Sequence, residues 1–306
     1  MLTAADAATK PPAGPVARGE ARRRHNASSM SPPGSAETRD SPRPFPLVPA
    51  LLVTALGILA MIEGGGVLAA RSGLSLRPQI ALGTLALALP ALVALAVAPG
   101  YWPAVVGPRR ATGRLLALSA LLGAALWVAS AGLMEVQSLV APPTQEYLDA
   151  FRAIHQALAP RNPFDAAVSI LVIAVLPGLC EELVLRGVFL PSLAWSMGGP
   201  ASVPVVLTAL LFAAIHLDAY RFAFTFALGL VFGLLRLGAR SLWPSVVAHL
   251  TLNALTFLVA PYLDDPTKPY EPSPALGFTC LVSGAAVAWP LLRALYASVD
   301  SPKSAS

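Results

Sequence analysis

The sequence predicts an all-α fold, a polytopic transmembrane helical bundle of about eight spans with a disordered N-terminal tail. Of the 306 residues, 56% are hydrophobic and only 12% are charged, whereas soluble domains carry about 25% charged residues. Eight apolar runs follow one another, separated by short polar connections. An α-helix needs about 20 apolar residues to cross a bilayer, so these runs predict a protein that folds within a membrane.

The first 44 residues form a segment of different composition. They are rich in Pro, Ala, Ser, Gly and Arg and show no hydrophobic periodicity, so we predict a disordered tail over residues 1–44. Translation could start at Met1 or at Met30, and the sequence leaves both open. Basic residues favour the cytoplasmic side of a membrane, and those that place this tail there are Arg22, Arg23, Arg24 and Arg43.

The apolar runs divide the rest of the chain into four segments. Residues 45–140 hold three spans, and residues 141–163 alternate polar and apolar side chains at helical spacing, which predicts an amphipathic helix at the membrane interface. Residues 164–262 hold four spans, and residues 263–306 hold the last span and a short tail. Within the third span, Gly123 and Gly132 are typical of close helix packing.

The basic residues predict the orientation of the bundle. Loops on one side are rich in arginine, and short basic loops stay in the cytoplasm. Both termini are therefore expected inside, and the composition favours a bacterial inner membrane. Because the basic clusters lie near span ends, we expect a lipid bilayer and no nucleic acid as their partner. The arginines assigned to these inside loops are Arg109, Arg110, Arg114, Arg236 and Arg240.

Ionisable residues concentrate in runs four to seven, and the fourth run contains a glutamate pair and an arginine. A charged group at membrane depth costs at least about 2.5 kcal/mol on insertion scales. Glu182 and Arg186 share one helix face, so Arg186 can neutralise Glu182 while Glu181 faces a water-filled cavity as a general base. The alternative is an ion pair at the cytoplasmic helix end, where Arg186 reaches the interface. Cys180 and Cys280 lie in apolar runs and predict buried free thiols rather than a disulfide framework.

Two later runs contribute the other polar groups. His216 closes the fifth run, and His249 and Asn253 share a face of the seventh. Each histidine alone could be a structural hydrogen-bonding residue. Together, two imidazoles, a carboxylate and a carboxamide can hold a metal, or can activate water and stabilise an oxyanion without one. The chain has no His-Glu-x-x-His motif, no aspartate pair within spans and no Gly-x-Ser-Gly motif.

Three motifs, Glu-Glu-x-x-x-Arg at 181–186, Phe-x-x-x-His at 212–216 and His-x-x-x-Asn at 249–253, resemble the CPBP family. That family includes CAAX-processing (CAAX prenyl protease 2-like) endopeptidases and immunity-type proteins similar to lysostaphin resistance protein A. The resemblance covers about residues 165–260 and implies a catalytic core with a conical cavity. It implies that Glu181 activates the attacking water, that His216 positions it, and that His249 and Asn253 form the oxyanion site. The residues implied to support them are Glu182, Arg186 and Phe212.

The resemblance also implies an intramembrane glutamic endopeptidase that cuts a membrane-anchored protein or peptide near its anchor or C-terminus. We expect a mechanism that requires no cofactor. If a divalent metal such as zinc takes part, its ligands would be Glu181, His216 and His249. Two other functions stay open: a non-catalytic immunity or scaffold protein, and a small proton-coupled transporter with an intramembrane proton relay.

Overall fold

A computed structural model describes residues 42–68, 71–263 and 270–300 of the chain. These residues form ten helices and no strand, which confirms the predicted all-α class. The predicted tail lies almost entirely outside the described residues. The helices are α1 (Leu47–Ala60, continued by π-helical turns over Met61–Leu68), α2 (Leu76–Val97), α3 (Trp102–Val106), α4 (Gly113–Val140), α5 (Gln145–Leu158), α6 (Pro163–Met197), α7 (Ser202–Ala214), α8 (Phe222–Ala239), α9 (Trp243–Leu263) and α10 (Pro274–Asp300).

The eight predicted apolar runs all fold as helices, but they are not equally long. Helices α1, α2, α4, α6, α8 and α10 are long and apolar enough to cross a membrane. The other two runs form shorter apolar helices, α7 and the Trp243–Val259 part of α9. By this length and composition, the chain is a multi-pass membrane protein.

Helix α4 packs closely against α9 and α10. A Cβ atom at Gly123 would lie 2.4 Å from the carbonyl oxygen of Ala248 in α9, and one at Gly132 would lie 2.2 Å from the backbone nitrogen of Leu281 in α10. Both distances are too short for any side chain, so the two glycines let α9 and α10 approach the backbone of α4. The packing role predicted for Gly123 and Gly132 is confirmed.

Helix α6 is the longest helix and carries the glutamate pair. Asn162 caps its start, since its side-chain oxygen accepts a hydrogen bond from the backbone N–H of Asp165 at 2.8 Å. Asp165 also pairs with Arg77 at the start of α2. The helix contains π-helical turns at Leu171–Val175 and Leu183–Phe189, a rare geometry that often marks functional sites.

Helix α7 is too short to cross the membrane. Its 13 residues span about 20 Å at 1.5 Å per residue, compared with a hydrocarbon core of about 30 Å. His216 was predicted to close this apolar run, but the helix ends at Ala214, and Leu217 adopts a left-handed conformation with φ of 51°. His216 therefore lies in a turn, not at the outer end of a straight span.

Two predictions about arginines are wrong. Arg236 was assigned to an inside loop, yet it lies within α8 and is only 5% exposed. The alternative that placed Arg186 at the cytoplasmic end of its helix is wrong too, because α6 continues past it to Met197. Both side chains find hydrogen-bond partners inside the bundle, which offsets part of the cost of burying them away from water.

The two cysteines are free thiols, as predicted, but only one of them is buried. Cys180 in α6 is buried, whereas Cys280 in α10 is partly exposed. The difference follows the helices, because α6 lies inside the bundle and α10 buries only a small part of its surface. The predicted burial is therefore confirmed for Cys180 and wrong for Cys280.

Candidate active site

Glu182 and Arg186 form a buried ion pair at the centre of the bundle. Arg186 Nη1 donates to Glu182 Oε1 at 2.9 Å, and both side chains have no exposed surface. His249 of α9 approaches the same carboxylate oxygen, with Nδ1 at 3.1 Å from Oε1. Since a carboxylate oxygen only accepts, the Nδ1–H of His249 is the donor. Glu182 thus joins α6 to α9 and fixes the tautomer of His249.

Two phenylalanines enclose this ion pair. The Arg186 guanidinium lies 4.3 Å from the centre of the Phe212 ring and 5.5 Å from that of Phe232. Phe232 also stacks on the His249 ring at 5.0 Å. Arg186 donates further to the carbonyl oxygen of Gly229 at 3.2 Å. These contacts exclude the helix-end alternative, in which Arg186 would reach the membrane interface.

Arg236 supports the same region from α8. Its Nε donates to the carbonyl oxygen of Arg186 at 3.0 Å, and its Nη2 donates to the carbonyl oxygen of Ala104 at 2.7 Å. Within the described ranges, no carboxylate pairs with this arginine. Arg236 therefore joins α8 to α6 and to the end of α3 through backbone carbonyl groups.

Glu181 differs from its neighbour Glu182. Its side chain is 15% exposed, and its Oε2 lies 3.9 Å from His249 Nε2, which is electrostatic contact without a hydrogen bond. Among the described residues, Oε2 has no hydrogen-bond partner although the atom is buried. A buried carboxylate oxygen without a partner is costly, so this atom is available to a water molecule or a substrate.

His216 lies beside this group, in the turn that follows α7. Its Nδ1 is 2.7 Å from the carbonyl oxygen of Phe212, and because a carbonyl oxygen only accepts, Nδ1 carries the proton. The neutral ring then has its lone pair on Nε2. His216 is close enough to both Glu181 and His249 to interact with them electrostatically. The Phe212 ring contacts both imidazoles, with centres 4.9 Å from His216 and 5.7 Å from His249.

Asn253 lies one turn beyond His249 on α9 and is half-buried. Its carboxamide has no hydrogen-bond partner among the residues that the structure describes, so its donors are available to a ligand. The structure thus brings Glu181, His216 and His249 together around Phe212, and it adds Asn253 on the same helix face as His249.

A divalent metal was the alternative to a metal-free site. His249 Nδ1 and His216 Nδ1 are both engaged in hydrogen bonds, so the two Nε2 atoms and the Glu181 carboxylate are the groups that a metal could use. In the described part of the chain, no three His, Cys, Asp or Glu side chains lie close enough to hold a metal ion. The metal-free mechanism stays a prediction, and we derive no step through a metal.

Two cavities of the described structure measure about 400 and 310 Å³, and their walls include Trp243 and Met61 respectively. Neither wall includes a residue of the motif at 181–186. The conical cavity that the resemblance implies therefore stays a prediction.

Sequence reasoning missed several residues of this region. Phe232 and Arg236 contact the central ion pair, and Asp218 and Tyr220 lie in the turn that carries His216. A charged residue within an apolar run was the available signal for Arg236. Nothing in the local sequence distinguished Phe232 from other aromatic residues of a span.

Comparison with known proteins agrees with the motifs. A family model described as Rce1-like, type II CAAX prenyl endopeptidase Rce1-like, matches residues 163–255. This stretch runs from the start of α6 into α9 and contains all three motifs, and the resemblance is confirmed over it. The comparisons with curated proteins and with solved structures gave no match.

Proposed function

We propose that this protein is an intramembrane endopeptidase in which Glu181 activates water to hydrolyse a peptide bond near the membrane anchor or C-terminus of a membrane-associated protein. The observation that carries the proposal is the contrast between adjacent carboxylates: Glu182 is ion-paired with Arg186 and fully buried, while the Glu181 side chain is 15% exposed and accepts no hydrogen bond among the described residues. One oxygen of each carboxylate, Oε2, has no hydrogen-bond partner in this part of the chain. A general base needs such an available carboxylate within reach of water. The family match over residues 163–255 supports the same class of reaction.

The proposed reaction begins at Glu181. Its carboxylate takes a proton from a water molecule, which His216 orients through its Nε2 lone pair, and the water oxygen attacks the substrate carbonyl carbon. The C–O bond forms as the carbonyl π electrons move onto oxygen. Glu181 then gives its proton to the leaving nitrogen, the C–N bond breaks, and an acid and an amine result.

The tetrahedral intermediate carries a negative oxygen that needs hydrogen-bond donors. The Asn253 carboxamide can donate directly. His249 uses Nδ1–H for Glu182, so its Nε2 donates only when the ring is protonated, with the two neighbouring glutamates as counter-charges. Arg186 balances the charge of Glu182 and holds it in position.

A second candidate function is a non-catalytic membrane scaffold or immunity protein, in which these polar residues only hold the helices together. The fully buried network of Glu182, Arg186 and His249 favours it, because such a network is expected in a structural core as well. The two candidate functions predict different results for a substitution of Glu181, which contributes little to that network.

The test compares terminal peptides of membrane proteins from cells that express the wild type or Glu181→Gln at matched levels. The substitution keeps the size of the side chain but removes the base. If wild type alone shortens specific anchored proteins, the endopeptidase proposal holds and the substrate is identified. If the two proteomes match while Glu181→Gln inserts normally, the scaffold candidate replaces it. Glu146→Gln on the exposed surface of α5 is the matched control.

We also propose that the protein lies in a bacterial inner membrane with both termini in the cytoplasm. Support comes from one end of the bundle, where the backbone N–H of Arg109 donates to the carbonyl oxygen of Arg240 at 3.3 Å. The arginines of two separate loops therefore meet on one face, as cytoplasmic loops rich in arginine would. Labelling of single cysteines placed at Arg110 and at Ala141, from each side of the membrane, tests the orientation.

A further inference from the structure

Helix α5 and the turn that carries His216 are joined by direct contacts. The Tyr147 hydroxyl donates to Asp218 Oδ2 at 3.1 Å, and the Tyr147 ring lies 4.9 Å from the ring of Tyr220. Tyr147 belongs to the amphipathic helix, whose opposite face is exposed. A helix at the membrane surface therefore contacts the turn between α7 and α8.

Asp218 fixes the shape of that turn. Its Oδ1 accepts a hydrogen bond from the backbone N–H of Arg221 at 3.0 Å, at the start of α8. Its Oδ2 accepts from Tyr147, so both carboxylate oxygens are in use. The residue between His216 and Asp218 is Leu217, which has φ of 51°. A left-handed conformation is unfavourable for leucine, so contacts around the turn must maintain it.

Helix α4 holds the other side of the turn. Gln137 Nε2 donates to the carbonyl oxygen of Tyr220 at 2.7 Å, and Ser138 Oγ and the Tyr220 hydroxyl are 2.5 Å apart. The turn is thus held between α4, whose glycines pack against α9 and α10, and the N-terminal part of α5, where Tyr147 is half-buried. The other end of α5 is held at Leu158, whose carbonyl oxygen accepts from Arg77 and from Ser169. The contact at Tyr147 is therefore the attachment through which the position of α5 can act on the turn.

We propose that α5 acts as a clamp on this turn, in which Tyr147 and Asp218 are positioning residues that hold His216 beside Glu181 and so make hydrolysis depend on where α5 lies at the membrane surface. The proposal rests on the proposed function for its effect on activity. The displacement of a catalytic group by about 1 Å can reduce a rate by about 100-fold. His216 is two residues from Asp218, so release of Tyr147 would move it.

The experiment uses the full chain in lipid nanodiscs and two measurements. Hydrogen–deuterium exchange of peptides covering 215–222 reports the turn whether or not the protein cleaves anything. Cleavage of a substrate found in the proteome comparison reports kcat and KM. The variants are Tyr147→Phe, Asp218→Ala and Asp218→Asn. Tyr101→Phe is the matched control, because the Tyr101 hydroxyl has no hydrogen-bond partner among the described residues and its ring stacks on Phe45.

We expect Tyr147→Phe and Asp218→Ala to speed exchange in 215–222 and to lower kcat by about tenfold, which is less than the roughly 100-fold cost of a 1 Å displacement, with KM unchanged. Asp218→Asn should restore both values, since its amide oxygen can accept from Arg221 while its amide N–H donates to the Tyr147 oxygen. If Tyr147→Phe exchanges like wild type, the clamp is wrong. It is also wrong if the control Tyr101→Phe speeds exchange in 215–222 and lowers kcat by as much. Faster exchange without any cleavage by wild type would keep the clamp and reject the endopeptidase.

Discussion

Helices α1 and α6 have nearly the same hydropathy and yet occupy different places in the molecule. In the most apolar window of α1, 17% of residues are buried inside the protein, compared with 50% in α6. Helix α10, with 11%, resembles α1, and α8, with 50%, resembles α6. Apolar side chains are equally suited to lipid and to a protein core, so hydropathy alone does not separate the two groups. The polar residues separate the two groups of helices, because each polar side chain that is buried needs a hydrogen-bond partner inside the protein.

The largest effect should follow from removing the proposed general base, Glu181, which lies in the more buried helix α6. Glu181→Gln should lower kcat by about 100- to 10,000-fold, the usual contribution of a general base, with little change in stability because Glu181 makes no side-chain hydrogen bond within the described residues that would be lost. Single-turnover cleavage and thermal melting of the same preparation measure both. Melting that falls as far as activity would assign Glu181 a structural role.

Breaking the buried ion pair should mainly affect stability. Arg186→Met leaves Glu182 buried without its counter-ion, and such a loss costs about 3–5 kcal/mol. Unfolding of the purified protein in mixed micelles measures the free energy. Arg110→Met, at an exposed arginine of the loop before α4, should leave it unchanged. Equal stability of the two variants would mean that Arg186 is not required to balance Glu182.

A leucine should contribute more to the free energy of unfolding in the more buried helix α6 than in α1. Leu185 in α6 is fully buried, whereas Leu52 in α1 is 59% exposed. Leu185→Ala should cost about 2–5 kcal/mol through a cavity, and Leu52→Ala should cost under about 0.5 kcal/mol, as a lipid-facing position would. Parallel unfolding of both variants tests the comparison directly. A larger loss at Leu52 would place α1 in an interface with another protein.

Two glycines of α4 offer a test with a smaller expected effect. Gly123→Ala would push against the Ala248 carbonyl next to His249, while a methyl group at Gly113, in the same α4, would meet no other atom within 4 Å among the described residues. Gly123→Ala should cost about 1–3 kcal/mol through overpacking and should also slow cleavage. Gly113→Ala should do neither. Unfolding and cleavage assays on the pair decide whether α4 sets the position of α9.

The smallest effect concerns pH at the membrane surface. Burial, followed by the charge of Asp218, raises the pKa of Tyr147 above its usual value of 10.0. The folded state therefore holds this proton more tightly than the unfolded state. Stability from this group is complete below about pH 10 and is lost as pH rises above it. Tyr147→Phe should therefore reduce the decline of the melting temperature at alkaline pH. Melting of the wild type and the variant from about pH 8 to 11 measures this. Identical pH profiles would mean that the Tyr147 phenol is not perturbed by the fold.

Much of the candidate site could be predicted, because its motifs are local. The spacing of Glu182 and Arg186 placed them on one helix face, and the ion pair has that geometry. The spacing of His249 and Asn253 likewise placed both on one face of α9. The end of α7 at Ala214 could not be predicted, since Ile215 and Leu217 continue the apolar run while the chain already turns there.

The sequence by itself determined the membrane environment, the helical class and the residues with chemistry, because hydrophobic length and the cost of buried charge depend on composition along one segment. Only the tertiary structure decided which residues of other helices meet this glutamate pair and its arginine. Glu182 meets His249 across 67 positions of the chain, and Arg236 reaches Ala104 across 132. Such contacts depend on how helices pack, and packing depends on the complementary shapes of surfaces that are distant in sequence.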